Sequence, residues 1–217
     1  MAEFVLVYGK SGSGKSRSLI NFKPDEYLLI NVTKKRLPIR TQPKYEYKGS
    51  DMQKIYYCLK NNPTKIAVID DAGYLMTDQF MMGHAAPKKG SSSFDLYNDI
   101  ADRFYGLIRY IKDQLPEDTI VYVMMHEDVS DYDGDVKLRT IGKLLDQKVC
   151  IEGLSTIVLR CVTKEKKHYF LTATDGSDIT KAPEGLFDAE QIENDLKAVD
   201  TAIREYYFMG EKNNAAN

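Results

Sequence analysis

Glu3-Phe4-Val5-Leu6-Val7-Tyr8-Gly9-Lys10-Ser11-Gly12-Ser13-Gly14-Lys15-Ser16 passes without a break from an apolar run into a glycine loop. The run is β-branched and aromatic, as a short buried strand requires. The loop matches G-x-x-x-x-G-K-[ST] in full, and a helix is expected to open near Lys15. Each residue type has a physical reason. Gly9, Gly12 and Gly14 open backbone conformations closed to residues with a Cβ, so that successive N–H groups can converge on phosphate oxygens. The helix N-terminus adds partial positive charge. Lys15 would reach the β- and γ-phosphates, and Ser16 would offer its hydroxyl to magnesium. Gly9, Lys10, Ser11, Gly12, Ser13, Gly14, Lys15 and Ser16 are thus the candidate nucleotide-binding residues, with ATP and Mg2+ as the expected ligands. The competing reading is a serine- and glycine-rich turn that matches by chance, and the strand–loop–helix context argues against it.

Working outward, further apolar runs of strand length occur over 27–32, 65–70 and 119–125. Unbroken runs such as Ile66-Ala67-Val68-Ile69 suit parallel strands covered on both faces. Helical spacing appears over 51–61 and again over 94–115, where Leu96, Ile100, Phe104, Leu107, Ile108 and Ile111 share a face. The polar, tyrosine-rich stretch up to Ser50 reads as loop or short hairpin, and 83–93 as a flexible loop. Strands over 155–162 and 168–174 flank a lysine-rich turn at 163–167 and form a late β-hairpin. A final helix is expected from Asp188 to about Phe208, with Asp188 and Gln191 as a capping box, followed by a frayed tail over 210–217. Alternating strands and helices predict an α/β fold with a mostly parallel sheet flanked by helices. Neither repeats nor a clear domain boundary appear, so 1–217 reads as one nucleotide-binding domain.

A phosphate-binding loop needs a metal partner. Ile66-Ala67-Val68-Ile69-Asp70-Asp71 is an apolar strand ending in two acids, the Walker B pattern. Asp70 is the candidate metal ligand with Ser16, and Asp71 is placed to orient or deprotonate the attacking water. Alternatively Asp71 caps the turn Asp71-Ala72-Gly73, since acids at strand ends are common turn residues. His126 follows the strand Ile120-Val121-Tyr122-Val123-Met124-Met125, at the carboxyl edge where open α/β sheets bind ligands. It could sense the terminal phosphate or the water, or be a surface histidine. Lys15, Asp71 and His126 are the catalytic candidates.

The net charge of -2 makes the chain as a whole no magnet for nucleic acid. Basic clusters are local: Lys34-Lys35-Arg36, Lys88-Lys89, and Lys164 with Lys166-Lys167. Taken singly each reads as solvated surface. Lys88 and Lys89 stand in a Gly/Ser loop that could order around a single-stranded backbone. The turn lysines could instead reach a neighbouring subunit's phosphate. Cys58, Cys150 and Cys161 fit neither a zinc site nor a redox pair and read as reduced thiols of a cytoplasmic protein. No run approaches the ~20 apolar residues of a membrane span.

With these motifs in order, the chain resembles the phage-encoded RecA-like AAA ATPases used in single-strand annealing and recombination. Four stretches carry the resemblance: Gly9–Ser16, Ile69-Asp70-Asp71, Met125-His126-Glu127, and Lys137-Leu138-Arg139-Thr140-Ile141-Gly142-Lys143-Leu144-Leu145-Asp146. Thr180-Lys181-Ala182-Pro183-Glu184-Gly185-Leu186-Phe187 is similar to that family's ending. The resemblance implies a RecA-type core, ATP hydrolysis coupled to single-stranded DNA binding, and homo-oligomeric rings or filaments. It implies a partner such as a single-strand annealing or binding protein. RecA itself has a glutamate after its glycine loop; Arg17–Phe22 holds no acid, which moves the base role towards Asp71. Two rivals stay open: a nucleoside or nucleotide kinase, and an ATP-gated assembly factor with little turnover. The arginines between Arg40 and the final strands are Arg103, Arg109 and Arg139, too dispersed for a kinase lid. No Asn-Lys-x-Asp motif supports a GTPase.

Overall fold

The computed structural model describes residues 1–85, 93–132 and 134–209. In chain order its elements are β1 (Glu3–Gly9), β2 (Leu28–Asn31), β3 (Tyr45–Lys48), α1 (Met52–Lys60), β4 (Ile66–Asp70), α2 (Gly73–Ala85) and α3 (Ser93–Gln114). Then come β5 (Ile120–Val129), β6 (Val136–Leu138), α4 (Lys143–Gln147), β7 (Ile157–Lys164), β8 (Lys167–Leu171), β9 (Gln191–Glu193) and α5 (Leu196–Tyr206). The strands lie in the order β3-β2-β4-β5-β1-β7-β8-β9, with β6 pairing the far end of β5. From β3 to β7 every pairing is parallel, while β8 and β9 add antiparallel. The architecture is α/β: a mostly parallel sheet flanked by helices.

Alternation within the buried strands divides the core into two. Phe4, Leu6 and Tyr8 face one side with Ala67, Ile69, Val121 and Val123, where α1, α2 and α3 cover them. Val5 and Val7 face the other with Val68, Tyr122 and Met124, beneath Leu19 and the α5 residues Leu196, Val199 and Ile203. Residues apolar on both faces leave such strands with no polar side, which is why the runs read as continuous. α5 is tied down by a buried polar link: Tyr122 donates to Asp200 at 3.0 Å, and Arg204 Nε donates to the same carboxylate at 2.7 Å.

Several elements depart from the sequence reading. Tyr45–Lys48 is neither loop nor hairpin; it pairs parallel to β2 as the sheet edge. The helix after the glycine loop is a six-residue 3-10 turn, Ser16–Asn21, ended at Phe22 just before Pro24. α2 begins two residues after Asp71 and takes up the first residues of the expected 83–93 loop. Lys88 and Lys89 fall outside the described residues, as does the tail 210–217. The last helix opens at Leu196 rather than Asp188. Its N-cap is Asp195, whose carboxylate accepts from Lys197 N at 2.9 Å and Ala198 N at 3.3 Å. Residues 191–193 are strand β9 instead. Among the described residues no helix is long and apolar enough to cross a membrane.

Candidate functional site

Parallel strands point their carboxyl ends one way, so β1, β2, β4, β5 and β7 deliver their following residues to one edge. β1 delivers the glycine loop, β4 delivers Asp70 and Asp71, and β5 carries His126 and Glu127. Register places Gly9 opposite His126 and Asn31 opposite Asp70. Residues 9, 16, 70, 71 and 126, scattered in sequence, therefore share one edge.

The loop's backbone requires its glycines. Gly9, Gly12 and Gly14 have φ of 155°, 77° and 107°. A Cβ on Gly14 would lie 2.8 Å from the His168 ring, and one on Gly9 would lie 2.4 Å from the Cys161 carbonyl oxygen. The loop is clamped from β7 and β8: Cys161 Sγ donates to Ser13 O at 3.1 Å, and His168 Nδ1 lies 2.8 Å from the same oxygen. Burial pushes the Cys161 thiol up to about 11, which keeps it a protonated donor. Lys15 is buried, and its Nζ donates to Gly9 O at 2.8 Å and Lys10 O at 2.9 Å. Burial pulls its pKa below the ordinary lysine value.

Two features of the donor set bear on what the loop could hold. Ser13 N turns onto Lys10 O at 3.2 Å, but among the described residues the amides of Gly14, Lys15 and Ser16 meet no backbone carbonyl. The Ser13 hydroxyl is buried without a partner. Orphan donors ending at the start of a helical turn suit an anion. Asp70 shows the complementary deficit. It is 1% exposed, and both its oxygens lie 2.9 Å from the Ser16 hydroxyl, which has one hydrogen to give. Burial, then the neighbouring Asp71 charge, holds the Asp70 carboxyl above the usual range. A buried carboxylate short of hydrogens, next to a hydroxyl, fits a hard cation. Among the described residues no group of three or more His, Cys, Asp or Glu forms a metal cage. Any magnesium here would take its other oxygens from phosphate and water, as that ion prefers.

Asp71 differs from its neighbour. Its φ is 58°, the left-handed region that Asp tolerates better than most residues. Its backbone opens the next turn, with Tyr74 N on Asp71 O at 2.9 Å. Its carboxylate does not cap that turn. Oδ2 accepts from Thr33 Oγ1 at 3.2 Å and from Lys35 Nζ, while His126 Nε2 lies 3.4 Å from Oδ1. Burial pushes the Asp71 carboxyl up, but His126 and Lys35 outweigh burial and leave it well below the usual carboxylate range.

Lys35 and Thr33 were missed as site residues. The signal was their place: they directly follow strand β2 at the same carboxyl edge, yet Lys34-Lys35-Arg36 reads as a surface charge run. Also missed was a second charged cluster across β1. Arg160 on β7 donates through Nε to Glu127 Oε2 and through Nη1 to Asp178 Oδ2, each at 3.0 Å. Glu127 and Arg160 also line a cleft of about 320 Å³ beside Lys10, Ser11, Gly12 and Ser13. A larger cleft of about 780 Å³ lies elsewhere, between Phe94 and Tyr97 of α3 and Lys143 and Leu144 of α4. No family model matches the chain, and no curated protein matches it either.

Proposed function

We propose that the chain is a P-loop ATPase with a RecA-like core, which binds ATP and magnesium on Gly9–Ser16 and hydrolyses ATP to ADP and phosphate. The observation that carries this reading is the Ser16–Asp70 contact. The two residues stand 54 positions apart, on the loop after β1 and at the end of β4 with β5 between those strands. They meet at the place where the loop's amides lack acceptors. A chance glycine turn has no reason to end against a buried, hydrogen-poor carboxylate.

In this reading the loop amides and Lys15 bind the phosphates, and Lys15 leaves the Gly9 and Lys10 carbonyls to do so. Ser16 and Asp70 would hold magnesium, which when bound would supply charge neutralisation on the phosphate oxygens. Asp71 and His126 orient the attacking water. A carboxylate held as acidic as Asp71 is a poor proton acceptor, so orientation rather than deprotonation is the part we assign it.

We place the activity on single-stranded DNA, in phage recombination or replication, within a homo-oligomer. That part rests on the resemblance of 137–146 and 180–187. Both stretches touch the nucleotide edge: Arg139 N donates to His126 O at 2.9 Å, and Thr180 Oγ1 lies 2.8 Å from Tyr8 Oη. The three cysteines are free thiols, which suits the cytoplasm.

The test is phosphate release with and without single-stranded DNA, at two protein concentrations. We expect magnesium-dependent release that DNA stimulates and that rises per protomer with concentration. Lys15→Ala should lower it by roughly a hundredfold or more, the scale of losing one transition-state donor. Retained turnover in Lys15→Ala would remove the P-loop assignment. Release unmoved by DNA at low salt would remove the DNA assignment, and labelled phosphate found on a deoxynucleoside would make the chain a kinase.

A further inference from the structure

We infer that Lys35 is a second phosphate-reading cation, supplied in cis from the turn after β2, which distinguishes the triphosphate from the diphosphate. The inference rests on the nucleotide reading of Gly9–Ser16 and adds to it a residue that no glycine-loop motif contains.

The turn is built to aim this side chain. Lys34 has a φ of 59°, in the left-handed region, and its N–H donates to Asn31 O at 3.3 Å. Buried Asn31 also donates from Nδ2 to Lys35 O at 2.7 Å and to Glu46 Oε1 at 2.9 Å, and Gly49 N closes on Asn31 O at 3.1 Å. A solvated charge run does not need its carbonyl pinned by a buried amide. The result is an ion pair from Lys35 Nζ to Asp71 Oδ2. The Lys35 side chain is 48% exposed, whereas that of Asp71 is 3% exposed. The carboxylate is therefore held inside the protein, and the lysine side chain reaches it from the solvent side.

Charge favours a transfer of Lys35 to a bound phosphate. Lys15, Lys35, Asp70 and Asp71 sum formally to zero, and Lys35 acts electrostatically on both Lys15 and Asp70. A magnesium triphosphate arrives with negative charge that this balanced set does not offset. The arginines around the edge are engaged elsewhere: Arg17 on Asn194, Arg139 on Asp128, and Arg160 on Glu127 and Asp178. On the nucleotide reading the terminal phosphate would lie between Lys15 and the Asp71–His126 pair, within reach of Lys35, whose ammonium already meets Asp71 there. Lys35 would move from one anion, Asp71, to another.

The test measures binding, without turnover. Affinities for a non-hydrolysable ATP analogue and for ADP, both with magnesium, are compared in the parent and in Lys35→Ala, Lys35→Arg and Lys34→Gln. Lys35→Ala should lose roughly ten- to a hundredfold in triphosphate affinity, the range for one hydrogen bond to a charged group, with ADP affinity within about twofold. Lys35→Arg should keep most of the preference, and Lys34→Gln should leave both affinities unchanged. Asp71→Asn should keep or strengthen the triphosphate, because it releases Lys35. Equal losses for both nucleotides, no loss at all, or Asp71→Asn copying Lys35→Ala would each reduce Lys35 to a positioning residue for Asp71 and overturn the inference. If Lys15→Ala also binds both nucleotides normally, the nucleotide reading itself fails. If Lys15→Ala binds neither and Lys35→Ala leaves the preference intact, this inference alone fails.

Discussion

Two buried charged clusters stand at the carboxyl edge, one spanning β1 from β5 to β7 and one at the end of β4, and they are satisfied very differently. On the β7 side, Arg160 forks onto Glu127 and Asp178. Nε and Nη2 meet the two Glu127 oxygens at 3.0 and 3.4 Å, and Nη1 meets Asp178 Oδ2 at 3.0 Å. The remaining oxygen, Asp178 Oδ1, accepts from Thr180 N at 2.9 Å. Each carboxylate oxygen has its hydrogen. On the β4 side, two oxygens of Asp70 share one hydroxyl, Asp71 sits at positive φ, and Lys15 is parked on two carbonyls. The first cluster is complete without a ligand and braces β5 to β7. The second is short of hydrogens at one acid and of acceptors at the adjoining amides, a pairing of deficits that an anion and a cation together would fill.

The largest expected effect breaks the brace. Arg160→Met leaves two buried carboxylates without their cation, so stability should fall by about 3–5 kcal/mol, measured by urea denaturation. Nucleotide affinity per folded molecule should change little. A loss under 1 kcal/mol would mean that the cluster is not a brace. A folded variant that no longer binds nucleotide would move Arg160 into the site and erase the contrast between the two clusters.

Asp71→Asn comes next and acts on the other side. Nucleotide binding should persist while turnover falls by roughly a hundredfold, as when one oriented group is lost. Normal turnover would leave Asp71 a structural acid. Its pH signature follows from a depressed pKa. A carboxyl held below its unfolded value contributes stability above about pH 3.9 and loses it as pH falls through the folded value. The parent should therefore be more stable than Asp71→Asn at neutral pH, with the gap closing in acid.

How much of this was legible follows from the two sides as well. The sheet could be read because parallel strands buried on both faces are apolar without interruption, as in Ile66-Ala67-Val68-Ile69. Edge strand β3 could not, since Tyr45-Glu46-Tyr47-Lys48 alternates with half its residues exposed and resembles a polar loop. α2 was hidden because Gly73–Ala85 is apolar around much of its circumference and lacks a periodic stripe. The helix start at Asp188 was misplaced because Asp195, seven residues on, offers the same capping chemistry. Within the site, Lys15, Ser16 and Asp70 come from contiguous motifs whose chemistry is local. Lys35 and Thr33 become site residues only through the β2–β4 register, and the Glu127–Arg160–Asp178 brace only once three separate segments are placed together. Sequence motifs reveal what one segment can bind, and not which segment stands beside it.

The smallest effect is the one that most sharpens the comparison, because its sign is opposite to the usual one. Asp70→Asn retains an oxygen for the Ser16 hydroxyl and removes a buried charge that lacks hydrogens and abuts Asp71. Single stabilising substitutions commonly gain about 0.5–2 kcal/mol, and about 1 kcal/mol is expected from relieving this buried charge in the absence of nucleotide. The sign follows from the raised pKa. A carboxyl whose folded pKa lies above its unfolded value contributes stability below the unfolded value and loses it as pH rises through the folded one. Above about pH 3.9 burying Asp70 is thus a cost, so the variant should melt higher than the parent at neutral pH, and the advantage should shrink as pH falls towards that value. Asp71→Asn closes its gap only below about pH 3.9, where the depressed Asp71 carboxyl takes up its proton. Magnesium nucleotide should then stabilise the parent more than Asp70→Asn, because the variant lacks the carboxylate that would hold the ion. Thermal melts at pH 7 and pH 4, with and without magnesium nucleotide, read the Asp70 effects, and a further melt well below pH 3.9 reads the Asp71 gap. An Asp70→Asn variant less stable than the parent at neutral pH would make Asp70 a structural acid like Glu127, and the two clusters would then be one kind of brace.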